Sequence, residues 1–209
     1  MRHIVIAALF ASSFAVLPAP GDVASAQQSV SPGYTFLKAV EDRDGDKVTT
    51  ALQVPGTNIV NARRADDGRT AMHLVVERRD SQWIKFLLAN HADPNIGDRN
   101  GDTPLMLATQ LGYLDGMDTL LTYGGKVDET NRAGETPLIR AVQLRDPETV
   151  RLLLKYGADP DIADHVSGRS ARDYARQDGR AREILNLLEA KGETKPARQQ
   201  GELDFSGIK

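Results

Sequence analysis

Cysteine is absent from this chain. That excludes disulfides, a thiolate nucleophile, a lipid-modified N-terminal cysteine and every zinc site built on sulfur. Excess positive charge is absent too. The formal net charge is −3, so there is no broad basic field of the kind that nucleic-acid binding requires. No apolar run beyond the N-terminal region reaches 18 residues, which leaves the rest of the chain without a membrane span. No two histidines stand four apart, and the aspartates between 93 and 102 lack calcium-loop spacing, so a helical metal site and an EF-hand are both unsupported. G-x-S-x-G, Walker A and dinucleotide fingerprints are missing. Carboxylates are plentiful, but none has a convergent partner, so no catalytic residue, metal ligand or cofactor site is expected and the chain reads as a non-enzyme.

What the chain does contain begins with Met1-Arg2-His3, followed by a 14-residue apolar run from Ile4 to Leu17. Pro18, Pro20 and Gly21 interrupt it, and Ala24-Ser25-Ala26 offers small residues for cleavage. This is the layout of a secretory signal peptide over residues 1–26, with the cut expected after Ala26. The run falls short of the ~20 residues that span a bilayer. The mature chain is therefore expected to be periplasmic or secreted, and to start at Gln27. Residues 27–33 read as a polar linker.

The organising pattern is a repeat. Gly101-Asp102-Thr103-Pro104-Leu105-Met106-Leu107-Ala108 returns 33 residues later as Gly134-Glu135-Thr136-Pro137-Leu138-Ile139-Arg140-Ala141. The same step backwards gives Gly68-Arg69-Thr70-Ala71-Met72-His73-Leu74-Val75. Each unit predicts a helix with Thr at the N-cap and Pro at the first helical position, where its missing N–H costs nothing. Leu and Ala three apart share one face, and the small Ala lets a neighbouring helix approach. A second apolar helix follows in each unit: Trp83 to Leu88, Met117 to Leu121, Val150 to Leu154, and Ile184 to Leu188. A unit this short cannot bury its own apolar face and must lean on its neighbours. Trp83 is expected in the core. Tyr34, Leu37 and Val40 are expected on one face of the first helix.

The motif G-x-T-P-L-x-x-A resembles the ankyrin repeat. The resemblance covers residues 34–191 and implies an all-α solenoid of about five helix-turn-helix repeats with finger loops, capped at both ends. The units would be 34–67, 68–100, 101–133, 134–167 and 168–191, with a flexible tail over 192–209. Arg79 and Arg145 stand where the family has a turn glycine, and His91 stands in a glycine-like C-cap. His73 matches the family's motif histidine and is expected to tie helix and turn together through Thr70.

The resemblance also implies a binding scaffold rather than an enzyme, with contacts through fingers and a concave face. The expected partner is another protein of the same compartment, approached by a monomer or held in a partner complex. Nucleic acid is not expected. The fingers are Arg64–Arg69, Asp98–Asp102, Arg132–Glu135 and His165–Arg169. Candidate partner-binding residues are Arg69, Arg78, Arg99, Asn100, Asp102, Leu111, Tyr113, Arg132, Glu135, Leu144 and Arg169. Leu111 and Leu144 occupy equivalent places and form either an apolar contact strip or a pair folded beneath the fingers. Tyr113, Tyr123 and Tyr156 are further aromatic candidates. A net charge of −4 between Gly101 and Thr130 favours a basic partner surface. Adaptor and inhibitor or immunity roles both fit. The alternative is a haem-handling factor for a periplasmic enzyme, with Tyr and His as ligands.

Overall fold

A computed structural model describes residues 31–193. The expected signal peptide, most of the linker, and the tail residues Leu203, Phe205 and Ile208 lie outside the described residues. Within them the secondary structure is helical: α1 Pro32–Glu41, α2 Gly45–Leu52, α3 Ala71–Glu77, α4 Ser81–Ala89, α5 Pro104–Gln110, α6 Leu114–Thr122, α7 Pro137–Gln143, α8 Pro147–Lys155, α9 Ala171–Gln177 and α10 Arg182–Glu193. A single 3₁₀ turn, Ile59–Asn61, follows α2. Two boundaries move. Pro32 and Gly33 open α1 rather than closing the linker, because the Ser31 hydroxyl caps the Tyr34 amide and Pro32 sits at the helix start. Gly192 and Glu193 extend α10 rather than starting the tail. No helix among the described residues is long and apolar enough to cross a membrane.

The helices pair as the motif dictates. Thr103 Oγ1 accepts the Met106 amide at 3.2 Å and Thr136 Oγ1 the Ile139 amide at 3.1 Å, with Pro104 and Pro137 just inside. First helices are seven residues long in the units from α3 to α9, too short to persist alone. Those from α3 to α7 are stabilised from both sides, because α1, α3, α5, α7 and α9 pack in series while α4, α6, α8 and α10 form a second row. Ala71, Ala108, Ala141 and Ala171 are fully buried where these helices meet. Leu105, Leu138, Ile84, Met117, Leu120 and Leu153 fill the core between the rows.

The turn between paired helices explains the recurring Arg-Asp. Arg43, Arg79 and Arg145 adopt φ of 57°, 56° and 56°, a left-handed conformation that costs a side-chain-bearing residue about 1 kcal/mol or more. The following aspartates, Asp44, Asp80 and Asp146, cap the second helix. Each arginine then reaches the next repeat: Arg43 to Asp80 at 3.3 Å, Arg79 to the Leu111 carbonyl at 2.5 Å, and Arg145 to Asp178 at 2.5 Å. Glycine in these places would relieve the strain and lose the bridge. His91 takes φ 65° as the C-cap reading requires.

Two expectations of burial change. Tyr34 is 58% exposed; the buried face of α1 is Phe36, Leu37, Ala39 and Val40. Trp83 is half-buried rather than core. With Phe86 it borders a groove of about 280 Å³ between α2 and α4, opposite Gly45, Asp46 and Thr49. The short, divergent α2 leaves this edge of α4 less covered than α6 and α8 leave their neighbours.

Candidate functional site

The fingers are tight loops braced from inside. Asp98 Oδ1 accepts the amides of Asn100 and Asp102, at 2.7 and 3.1 Å. Asn131 Oδ1 does the same for Ala133 and Glu135, both at 3.0 Å. Asp164 Oδ1 accepts Val166 at 3.0 Å and Gly168 at 3.2 Å. These three residues stand 33 apart and were visible in the sequence as a recurring short polar side chain, although their role was not read there. Burial alone would raise the Asp164 carboxyl. The Tyr174 hydroxyl, the Ser167 amide and hydroxyl, and the Val166 amide outweigh it and bring the carboxyl down to about 2.

Successive fingers are then laced together by main-chain bonds. The amides of Arg99, Arg132 and His165 donate to the carbonyls of Asp67, Asn100 and Ala133 at 2.7, 2.9 and 2.8 Å. Close approach is possible because glycine lies at the contact. A Cβ on Gly101 would sit 2.9 Å from the Arg132 nitrogen, and one on Gly134 would sit 2.6 Å from that of His165. Both glycines also have positive φ, 82° and 77°. The result is a row of finger tips held in fixed register.

Among the expected binding residues, Arg99, Asn100 and Arg132 are exposed at these tips, and Arg169 is exposed at the base of the last finger. The Arg99 guanidinium donates to the Ala65 carbonyl at 2.7 Å, and the Arg169 guanidinium lies 5.9 Å from the Tyr174 ring centroid. His165 and Val166 share this row and were not on the expected list; Val166 is 82% exposed. The residues at the finger base behave differently. Arg69 binds Glu77 at 3.0 Å, Asp102 accepts Gln110 at 3.5 Å and Asn131 at 3.0 Å, and Glu135 accepts Gln143 at 3.1 Å and pairs with Arg140. The contacts with Glu77, Gln110, Arg140 and Gln143 stitch each finger to its own first helix, and the Asn131–Asp102 bond joins one finger to the next.

Four expected residues are placed elsewhere. Tyr113 is buried: its hydroxyl meets Ser81 Oγ at 2.5 Å, its ring covers Gly116, and it opens α6 where the first, second and fourth units use aspartate. It offers no interface surface. Arg78 is a clamp between repeats, donating to the Val40 carbonyl at 2.5 Å, 3.4 Å from Asp80 and 5.1 Å from the Trp83 ring centroid. Leu111 is half-buried against the core while Leu144 is 50% exposed. Both follow the C-terminal ends of first helices. Seven residues of helix, about 10 Å at 1.5 Å each, separate them from the fingers, so they do not form one patch with the tips. Tyr123 is 57% exposed, whereas the Tyr156 hydroxyl donates to Asp118 at 2.8 Å.

His73 is structural. The Thr70 amide and hydroxyl donate to Nδ1 at 3.2 and 3.0 Å, and Nε2–H donates to the Asp102 carbonyl at 2.9 Å. This assigns the neutral Nε2–H tautomer. Burial lowers its pKa, and its bond to the Asp102 carbonyl only partly opposes that. Neither nitrogen is left for haem iron. Among the described residues no group of three His, Asp or Glu side chains could hold a metal ion. Most of the carboxylates from Gly101 to Thr130 are also engaged. Asp118 pairs with Lys155 at 3.6 Å, Glu129 with Lys126 at 3.1 Å, and Asp128 accepts the Asp159 amide at 3.0 Å.

Stacked helical hairpins, laced fingers and a bare row of tips define a repeat scaffold that presents a surface. The comparisons agree. A family model for ankyrin repeats (three copies) matches residues 36–131, and a single ankyrin repeat matches 133–165. The chain belongs to the ankyrin repeat family, whose repeats are protein–protein interaction modules and generally not enzymes. Relatives include the putative ankyrin repeat protein L271 of Acanthamoeba polyphaga mimivirus, 35% identical over 43% of this chain and 12% of that protein. The 2-5A-dependent ribonuclease of Homo sapiens is 31% identical over 44% of this chain and 12% of that protein. Ankyrin repeat domain-containing protein 63 of Mus musculus is 31% identical over 46% of this chain and 26% of that protein. The matches thus span an eighth to a quarter of these relatives' length.

Proposed function

We infer that this chain is an exported, non-enzymatic binding protein that holds a folded protein partner through its finger tips and the first-helix face beside them. One observation carries the reading. The finger row is rigidly laced through backbone bonds, yet its outermost side chains at Arg99, Asn100, Arg132, His165 and Val166 are exposed. A fixed, exposed surface loses little entropy on binding. Export is supported by the apolar run Ile4–Leu17 and the small residues before Gln27, and on this reading the partner is periplasmic or extracellular.

Two measurements test this. The N-terminus of protein recovered from the envelope fraction of an expressing bacterium should begin at Gln27; a mature protein still carrying Met1 contradicts export. In capture from an envelope extract, Asn100→Trp should lose the partner held by wild type, because a bulky ring at the central tip blocks any surface seated there. Leu144→Asp, at the far end of the first helices, should retain it. Retention by Asn100→Trp with loss by Leu144→Asp would move the binding face away from the fingers.

A further inference from the structure

The finger tips carry their charges unequally. The carboxylates of fingers two to four are engaged internally: Asp98 and Asp164 brace their own loops, Asp102 holds Asn131 and Gln110, and Glu135 holds Arg140 and Gln143. The cations at the tips have no such tie to an acidic group, although Arg99 donates to the Ala65 carbonyl at 2.7 Å. Arg99 and Arg132 are exposed, stand at equivalent places in successive fingers, and among the described residues have no carboxylate partner within 4.0 Å. Several other exposed arginines are matched by carboxylates, Arg43 with Asp80, Arg145 with Asp178, and Arg151 with Glu148 and Glu183, whereas Arg63 and Arg79 donate to the main-chain carbonyls of Gly97 and Leu111. The third equivalent place is His165, beside the exposed Val166, with Arg169 in the same finger. The first finger has Asp66 there, with its side chain 73% exposed, so the cationic row has one acidic end.

Resting on the finger-tip reading above, we propose that this row is the docking edge for an acidic, extended segment of the protein partner, with carboxylates meeting Arg99, Arg132 and the His165–Arg169 finger in turn. Register follows from geometry. Packed neighbouring helices lie about 8–10 Å apart, which sets the spacing of their fingers, and a segment extended as polyproline II advances about 3.1 Å per residue with three residues per turn, so every third side chain shares one face. The matching segment therefore carries an acidic residue at every third position, an apolar side chain towards Val166, and a basic residue towards Asp66. Carboxylates at the finger bases offset the long-range field of the row. Selectivity consequently comes from direct pairing at the tips rather than from steering at a distance.

The test uses the full chain and two defined probes of about twelve residues, long enough for three to four fingers: a Glu-Gly-Ser repeat and a Lys-Gly-Ser repeat. Amide chemical shifts read binding even when it is weak. The acidic probe should move the resonances of Arg99, Asn100, Arg132, Ala133, His165 and Val166, and the basic probe should not. Arg99→Glu with Arg132→Glu should weaken the acidic probe on the order of tenfold and give the basic probe measurable binding. Arg151→Glu, on the outer face, should leave both unchanged. Thermal melts keep misfolding apart from lost binding, and wild-type selectivity between the probes needs no variant. Equal response to the two probes, shifts away from the fingers, or an unchanged response in the double variant would overturn the proposal. If Asn100→Trp abolishes partner capture while the charge reversal leaves it intact, finger binding stands and the acidic partner falls. If neither variant affects capture, both readings fall.

Discussion

His73 shows how one side chain in this stack earns its place. The units that follow put Met106 and Ile139 where it stands, so the position itself accepts an apolar group. The imidazole instead links its own cap residue Thr70 to the Asp102 carbonyl of the next finger. Its lowered pKa gives a signed expectation. The unfolded chain takes up a proton near pH 6.5, the folded one only at lower pH. His73 therefore contributes stability that is complete above about pH 6.5 and fades as pH falls towards its depressed value. Thermal melts of wild type should show this loss between pH 7 and 5, and His73→Met should flatten it. Asp164 sets a second window. Its contribution is present above the ordinary carboxyl value of 3.8 and is lost as pH falls through about 2. Asp164→Asn, the amide already used at Asn131, should remove that acid sensitivity while keeping the loop. The sequence made the His73 role legible because Gly68 and Thr70 of its motif are in place. It did not reveal that Tyr113 is buried, since a tyrosine in place of a capping aspartate looks the same whether it faces solvent or covers Gly116.

At the level of elements, the first helices were the most legible, because cap, proline and small apolar residues all agree there. Thr136→Ala should cost about 1 kcal/mol of unfolding free energy in urea titration, and Leu153→Ala in the second row about 2–5 kcal/mol. The second helices were less legible. Periodicity placed Ile84 and Leu87 correctly but could not separate Trp83 and Phe86 from them, because that depends on how far the divergent α2 reaches. Glycines offer a sharper test of finger lacing. Gly101 and Gly157 both have positive φ, but a Cβ at 157 meets open space while one at 101 meets the next finger. Gly157→Ala should cost about 1–2 kcal/mol from strain alone. Gly101→Ala should cost more, with faster amide exchange at Arg132; equal costs would mean the lacing adds nothing.

For the molecule as a whole, the 33-residue period made the architecture readable before any coordinates, because each hairpin repeats the same local instructions. The candidate surface was readable only in part. Equivalent positions could be aligned by counting, which found Arg99, Asn100 and Arg132. Counting could not tell which side chains are consumed in holding the stack together, and so it mixed the tips with the clamp Arg78, the braces Arg69, Asp102 and Glu135, and the distant Leu111 and Leu144. The difference is one of hydrogen-bond partners up to 38 residues away. The central claim is that this stack works by presenting its finger row to another protein. Amide hydrogen exchange on the complex with the captured partner tests it most directly. Protection should appear at residues 98–102, 131–135 and 164–169, with α4, α6 and α8 exchanging as in the unbound chain. Protection confined to those second helices, with the fingers unchanged, would contradict it.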